Sequence, residues 1–143
     1  MYLLINTAET DKITLALVKP ITQGNLLLDH KTISARRQQS EKLLLNLQKL
    51  LQKNKIKLKN LKGIMAVSGP GSFTSLRIGL ASANTLGYVL KIPMAEIKMS
   101  ELKKANNLEE MVKQGSRKLK KQKRFKIILP YYGQEPNITQ PKQ

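Results

Sequence analysis

The chain has 143 residues, no cysteine, and 26 Lys and Arg against 9 Asp and Glu, giving a formal charge of +17. This length suits a single domain with a modest core, and 41% hydrophobic content is globular rather than disordered. The missing thiols exclude a disulfide framework and any cysteine metal site.

No uncharged run approaches the roughly 18 to 20 residues of a bilayer span. The opening Met1-Tyr-Leu-Leu-Ile-Asn6 is apolar too briefly for a signal peptide and lacks a leading positive charge. These features lead us to expect a soluble, cytoplasmic protein with no membrane partner. A pI near 10.2 invites nucleic acid, but aromatics are only 4% of the chain, which gives base stacking little support. A general lysine bias spread over solvated faces is the alternative.

Three short apolar runs come first: Leu3 to Asn6, Ile13 to Val18 (stopped by Pro20), and Leu26 to Ile33, whose charged second half suits a sheet edge. Turns at Thr7 to Lys12 and at Gly24-Asn25 join them into an antiparallel meander. The period then changes. From Ser34 to about Lys53 the pattern is helical, with Leu43, Leu44, Leu47, Leu50 and Leu51 inside an arc of roughly 120°. Lys42, Lys49 and Lys53 lie opposite, and Leu45 falls off the stripe.

After a lysine-rich loop, Gly63 to Ser68 reads as a buried strand. Gly69, Pro70, Gly71 and Ser72 form the turn, and Ser72 or Thr74 is placed to cap a helix that runs to about Lys91. Pro93 to Lys98 is a fifth strand. Strand, helix, strand, helix, strand argues for parallel pairing with right-handed crossovers. We therefore expect an α/β fold: a five-stranded mixed sheet in the order β-β-β-α-β-α-β, two main helices and a C-terminal extension. Domain boundaries are expected at 1–99, 100–126 and 127–143. Within the extension, Ser100 to Gln114 reads as a helix and Phe125 to Leu129 as a last strand. Pro130 to Pro141 should be irregular.

Between Phe73 and Leu90 the only charge is Arg77. Gly79, Ala83 and Gly87 recur at four-residue spacing, flanked by Leu76, Leu80, Leu86 and Leu90, while Ile78 and Val89 point the other way. We expect the small-residue row to admit an external partner and Ile78 and Val89 to face the sheet; the alternative is that the first helix covers everything.

The Gly-Pro-Gly turn has neither the Gly-Lys-Ser/Thr ending of a phosphate loop nor dinucleotide glycine spacing, so a tight strand-to-helix turn is favoured over an anion nest. Catalysis by the chain itself is not expected. His30 stands alone, and nothing in the spacing of Asp11, Asp29 and Glu96 requires them to meet, although the sheet could bring them together.

The stretch Ser68-Gly-Pro-Gly-Ser-Phe-Thr-Ser-Leu-Arg-Ile-Gly-Leu-Ala-Ser-Ala83 resembles the signature of the TsaB (YeaZ-like) family, subunits of the bacterial machinery for threonylcarbamoyladenosine in tRNA. So do Leu3-Leu-Ile-Asn-Thr7, Ser40-Glu41, Ile92-Pro93, Pro130-Tyr-Tyr and Glu135-Pro-Asn-Ile-Thr139. The resemblance implies an actin-like, ribonuclease-H-like half-domain in a short form lacking most of a second domain. It implies a non-catalytic scaffold that binds the TsaD transferase through its two helices. A TsaE-like ATPase joins the assembly, and ATP and metal sit on the partner subunits rather than here. Modification would fall on the tRNA adenosine next to the anticodon.

The implied partner contacts are Leu43, Leu47 and Leu50 on the first helix. On the second they are Leu76, Arg77, Gly79, Leu80, Ala83, Asn84 and Gly87. Self-association as a homodimer stays open. Asn6 stands where the family mostly has Asp, which weighs against residual actin-like ATPase chemistry. A second reading is a basic RNA-binding module. Lys113 to Lys126 holds eight positive charges and no negative one, with Arg117, Lys118, Lys120, Lys121, Lys123 and Arg124 as candidate tRNA contacts. The alternative for that run is a solvated linker.

Overall fold

The computed structural model describes residues 1–20, 26–35, 39–104 and 107–131. Its strands are β1 (Tyr2–Asn6), β2 (Lys12–Val18), β3 (Leu27–Ser34), β4 (Gly63–Gly69) and β5 (Met94–Lys98); its helices are α1 (Gln39–Lys53), α2 (Phe73–Leu90) and α3 (Leu108–Lys121). The sheet order is β3-β2-β1-β4-β5. β2 runs antiparallel to β1 and β3, whereas β4 runs parallel to β1 and β5.

Residue pattern follows position in the sheet. β4 lies between two strands and under helices on both faces, and all seven of its residues are buried. That matches the continuous apolar run expected of an interior parallel strand. At the β3 edge, burial alternates residue by residue, so Asp29, His30 and Lys31 are accommodated on a strand with only one neighbour.

One face of the sheet carries α1 and α2. Leu3, Ile5, Leu15, Leu17, Ile64 and Ala66 pack there against Leu43, Leu47 and Leu50 of α1 and Leu80 and Ala83 of α2. The other face carries α3, where Met111, Val112 and Leu119 meet Leu4, Met65, Val67, Ala95 and Ile97. Alternate side chains of one strand thus serve different layers, as the two-residue strand period requires.

Several expectations from the sequence are corrected. The helix expected over Ser100 to Gln114 lies at Leu108–Lys121, preceded by a short 3-10 turn at Met99–Glu101. Asn107 starts it: its Oδ1 accepts the Glu110 N–H at 3.0 Å. Acidic Glu109 and Glu110 stand in the first turn and Lys118, Lys120 and Lys121 in the last, matching the helix dipole. Much of the expected basic linker is therefore helix packed on the sheet.

The strand expected at Phe125 to Leu129 does not form. Instead this segment straps onto α2. Asn84 Nδ2 donates to the Ile128 carbonyl and Asn84 Oδ1 accepts the Ile128 N–H, each at 2.9 Å. Beyond it, the Tyr131 N–H donates to the Ser68 carbonyl at 2.7 Å. The turn expected at Gly24-Asn25 and the chain from 132 onward lie outside the described residues.

Candidate protein interface

The turn from β4 into α2 is built backbone against backbone. The Ser72 N–H donates to the Ala8 carbonyl at 3.1 Å. A Cβ on Gly71 would strike the Ala8 backbone, and one on Gly69, at φ 128°, would strike the Tyr131 carbonyl. Ser72 occupies the cap position of α2 without a side-chain capping bond, and Thr74 falls within the helix.

This turn fixes which face of α2 meets the sheet, and the outcome reverses the expected one. Leu76, Gly79, Leu80, Ala83 and Gly87 are buried against the chain's own interior. A side chain at Gly79 would run into Thr7, and one at Gly87 into Met94 and Phe125. Small residues recur here because the helix passes close to Thr7, just beyond β1, and to Met94 and Phe125. Leu43, Leu47 and Leu50 are likewise interior. Of the residues expected to touch a partner, only Arg77 is exposed, and Asn84 is engaged with Ile128. Val89, expected to face the sheet, is 67% exposed.

The outward surface of the two helices is nevertheless apolar. On α1, Leu44 is 53% and Leu45 49% exposed; on α2, Phe73 is 55% and Tyr88 70% exposed. Ala81 and Thr85 complete the outer face of α2, where Arg77 is the one charge, its guanidinium 5.3 Å from the Phe73 ring centre. The helices run side by side in the same direction, with Gln39 Nε2 donating to Ser75 Oγ at 2.6 Å near their N-termini.

At the other end of α2, Tyr88 packs edge-on against Phe125 at 5.8 Å, and Lys91, Lys123 and Arg124 join them around an open groove of about 460 Å³. Ile127 and Leu129 of the strap are also exposed. The signal for this face was present in the sequence: Phe73, Arg77, Ala81, Thr85 and Tyr88 follow one another at helical spacing.

Asp29 and Glu96 sit on β3 and β5, the opposite edges of the sheet, so they cannot act as a pair. Asp29 accepts from Asn54 Nδ2 at 2.9 Å and pairs with Lys53 at 3.1 Å; these two contacts, Asn54 first, hold its carboxyl below the usual range. Glu96 accepts from Ser68 Oγ at 2.6 Å. Burial, and secondarily Lys62, lower the pKa of the Met1 amino group. Asn6 at the end of β1 is buried, its Oδ1 accepting the Ala8 N–H at 2.9 Å and its amide facing the Met111 sulfur of α3. Among the described residues no three His, Cys, Asp or Glu gather as a metal site.

On α3, Arg117, Lys120 and Lys121 are exposed, and Lys123 and Arg124 follow the helix. Lys118 turns back to the protein, donating to the Glu96 carbonyl at 2.7 Å and pairing with Glu101 at 3.2 Å. It is thereby withdrawn from the candidate tRNA contacts. No helix among the described residues is long and apolar enough to cross a membrane.

A family model described as TsaD, tRNA N6-adenosine threonylcarbamoyltransferase, matches residues 30–123. The chain belongs to the TsaD family. Among solved structures, YeaZ from Pseudomonas aeruginosa aligns with a TM-score of 0.58 at 24% identity, over 68% of this chain and 43% of that one. A P. aeruginosa protein described as similar to peptidase YEAZ aligns with the same score at 22% identity, over 68% and 42%. RuvC from Thermus thermophilus aligns with a TM-score of 0.50 at 10% identity, over 82% and 90%. These matches establish the fold of this TsaD-family chain as YeaZ-like, an actin-like, ribonuclease-H-like α/β half-domain. A Mycoplasma pneumoniae relative, the uncharacterized protein MG208 homolog, is 36% identical over 61 residues, 43% of this chain. The match spans 31% of that relative's length.

Proposed function

We propose that this chain is a non-catalytic subunit that binds a TsaD-type transferase and supports threonylcarbamoyladenosine formation in tRNA. The observation that carries the reading is the outer face of α2. In a chain of charge +17, eighteen helical residues hold one charge, and the large apolar side chains Phe73, Tyr88 and Val89 stand in solvent. Charge depletion with exposed aromatics is the composition of an interface core, and Leu44 and Leu45 extend it onto α1. Lys91, Lys123 and Arg124 at one end favour a partner patch rimmed by carboxylates, which would steer encounter more than it would tighten the complex.

A supporting role rather than catalysis fits the separation of Asp29 from Glu96 and the placement of Asn6 beneath α3. On this reading ATP and metal belong to the partner subunits, and a TsaE-type ATPase completes the assembly.

The test is co-elution of the purified chain with a TsaD-type transferase from the same organism. A one-to-one complex is expected. Val89→Glu and Leu44→Glu should each weaken it about 100-fold, corresponding to about 3 kcal/mol for a charge desolvated without a mate, while leaving the thermal midpoint nearly unchanged. Unaltered co-elution by both variants would overturn the assignment. Ala83, which has no exposed surface, is unsuitable for such a probe, since a glutamate there would test folding.

A further inference from the structure

We infer that the solvent face of α3 binds the phosphate backbone of a folded RNA. The tRNA acted on by the proposed complex is the RNA in question, and that identity rests on the function proposed above. Lys113, Arg117, Lys120 and Lys121 are exposed and fall within an arc of about 100° at 3.6 residues per turn. They span roughly 12 Å of helix at a rise of 1.5 Å per residue. None of the four makes an ion pair or side-chain hydrogen bond among the described residues, whereas Lys53 and Lys118 are each ion-paired. Two carboxylates stand one turn before Lys113: Glu109 at the edge of the stripe, and Glu110 within its arc, where its oxygens already accept the N–H groups of Lys103 and Lys104 at 2.7 and 3.2 Å.

Stabilisation of the helix does not account for the row. Cations in a last turn favour the helix dipole by about 0.3–1 kcal/mol each, which covers Lys120 and Lys121. Lys113 and Arg117 stand one to two turns further in, beyond the reach of that effect. A lipid surface fits poorly. An interfacial helix needs an apolar face to insert, and that of α3 is already spent on the sheet through Met111, Val112 and Leu119. Gly115 brings the helix so close to Met65 and Ile97 that a Cβ there would collide with the Met65 side chain. What remains outside is a row of cations with no greasy neighbour on the helix. Such a row suits an evenly charged backbone, from which it gains affinity by releasing counterions.

The stripe also lies across the sheet from α1 and α2. RNA and protein partner would therefore occupy opposite sides of the molecule, and neither would displace the other.

The experiment is fluorescence anisotropy of a labelled tRNA transcript titrated with the full chain between 50 and 200 mM salt. Four phosphate contacts predict an affinity loss of about 50- to 150-fold across that range. The variant Lys113→Gln/Arg117→Gln/Lys120→Gln/Lys121→Gln keeps good helix formers. It should melt as the parent does, bind at least about 10-fold more weakly at 50 mM, and show a flatter salt slope. A control carrying Lys31→Gln/Lys42→Gln/Lys49→Gln/Lys55→Gln removes the same charge from β3, α1 and the residues just past α1, and should bind nearly as the parent.

Equal losses in both variants would reduce the effect to diffuse charge and overturn the proposal. So would parent-like binding by the α3 variant, or tighter binding of the parent to phosphatidylserine vesicles than to tRNA. Co-elution with the transferase separates the two readings. A chain that joins the transferase yet ignores tRNA sinks only this inference, and the converse sinks only the docking role.

Discussion

Asp29 shows how one side chain on an exposed edge strand ties two layers together. Its carboxylate receives Asn54 and Lys53 from the end of α1, and both contacts favour the ionised form. Because the folded-state pKa is lowered, the stabilisation is fully present above the unfolded pKa and disappears as pH falls through the folded one. Asp29→Asn should therefore be less stable than the parent at neutral pH, with the gap closing in acid below the usual carboxylate range. Urea midpoints at both pH values check this, and a gap that persists in acid would mean the residue acts through packing. The same scale exposes the limit of reading a sequence. Gly79, Ala83 and Gly87 are legible as a surface for close approach, but spacing alone does not say what approaches. Thr7, Met94 and Phe125 answer that, and Thr7 and Phe125 lie far from α2 along the chain.

At the scale of elements, the strongly periodic pieces were legible and the weakly periodic ones were not. The leucines of α1 and the continuous apolar run of β4 announced themselves because burial on one side or on both leaves a characteristic pattern. The start of α3 is hard to read because Leu102, Ala105, Leu108 and Met111 mimic a helical stripe, although Leu102 closes the separate turn at Met99–Glu101 and is itself buried. Asn107 with two glutamates behind it and lysines at the far end was the better signal.

Phe125 to Leu129 reads as a strand, yet the backbone polar groups of Ile128 find α2 instead of a sheet edge. Asn84 supplies both bonds that hold Ile128 in the core. Asn84→Ala should leave the Ile128 N–H and carbonyl short of partners at a cost of about 1–3 kcal/mol. Hydrogen exchange would show the loss as faster exchange at residues 125–131 with the strands unaffected. Uniform acceleration across the sheet would mean that the strap and the core open as one unit.

For the molecule as a whole, the mixed sheet and its two crossover helices followed from element order, since parallel neighbours demand crossovers and crossovers need a helix. Less legible was the sidedness. A sequence gives each helix two faces, and only packing decides which is spent. α2 spends its small-residue face and keeps an apolar one outside; α3 spends its apolar face and keeps the cations outside. The sheet between them is tightly filled, with β4 wholly buried, and the helix layers stand on opposite sides of it. Substitutions that distant, with no shared partner, contribute independently to within about 0.5 kcal/mol. A chain carrying Val89→Glu together with Arg117→Gln should thus lose transferase affinity as the first change alone does, and RNA affinity as the second alone does. A thermodynamic cycle that failed to close would reveal a mechanical linkage running through the strands themselves.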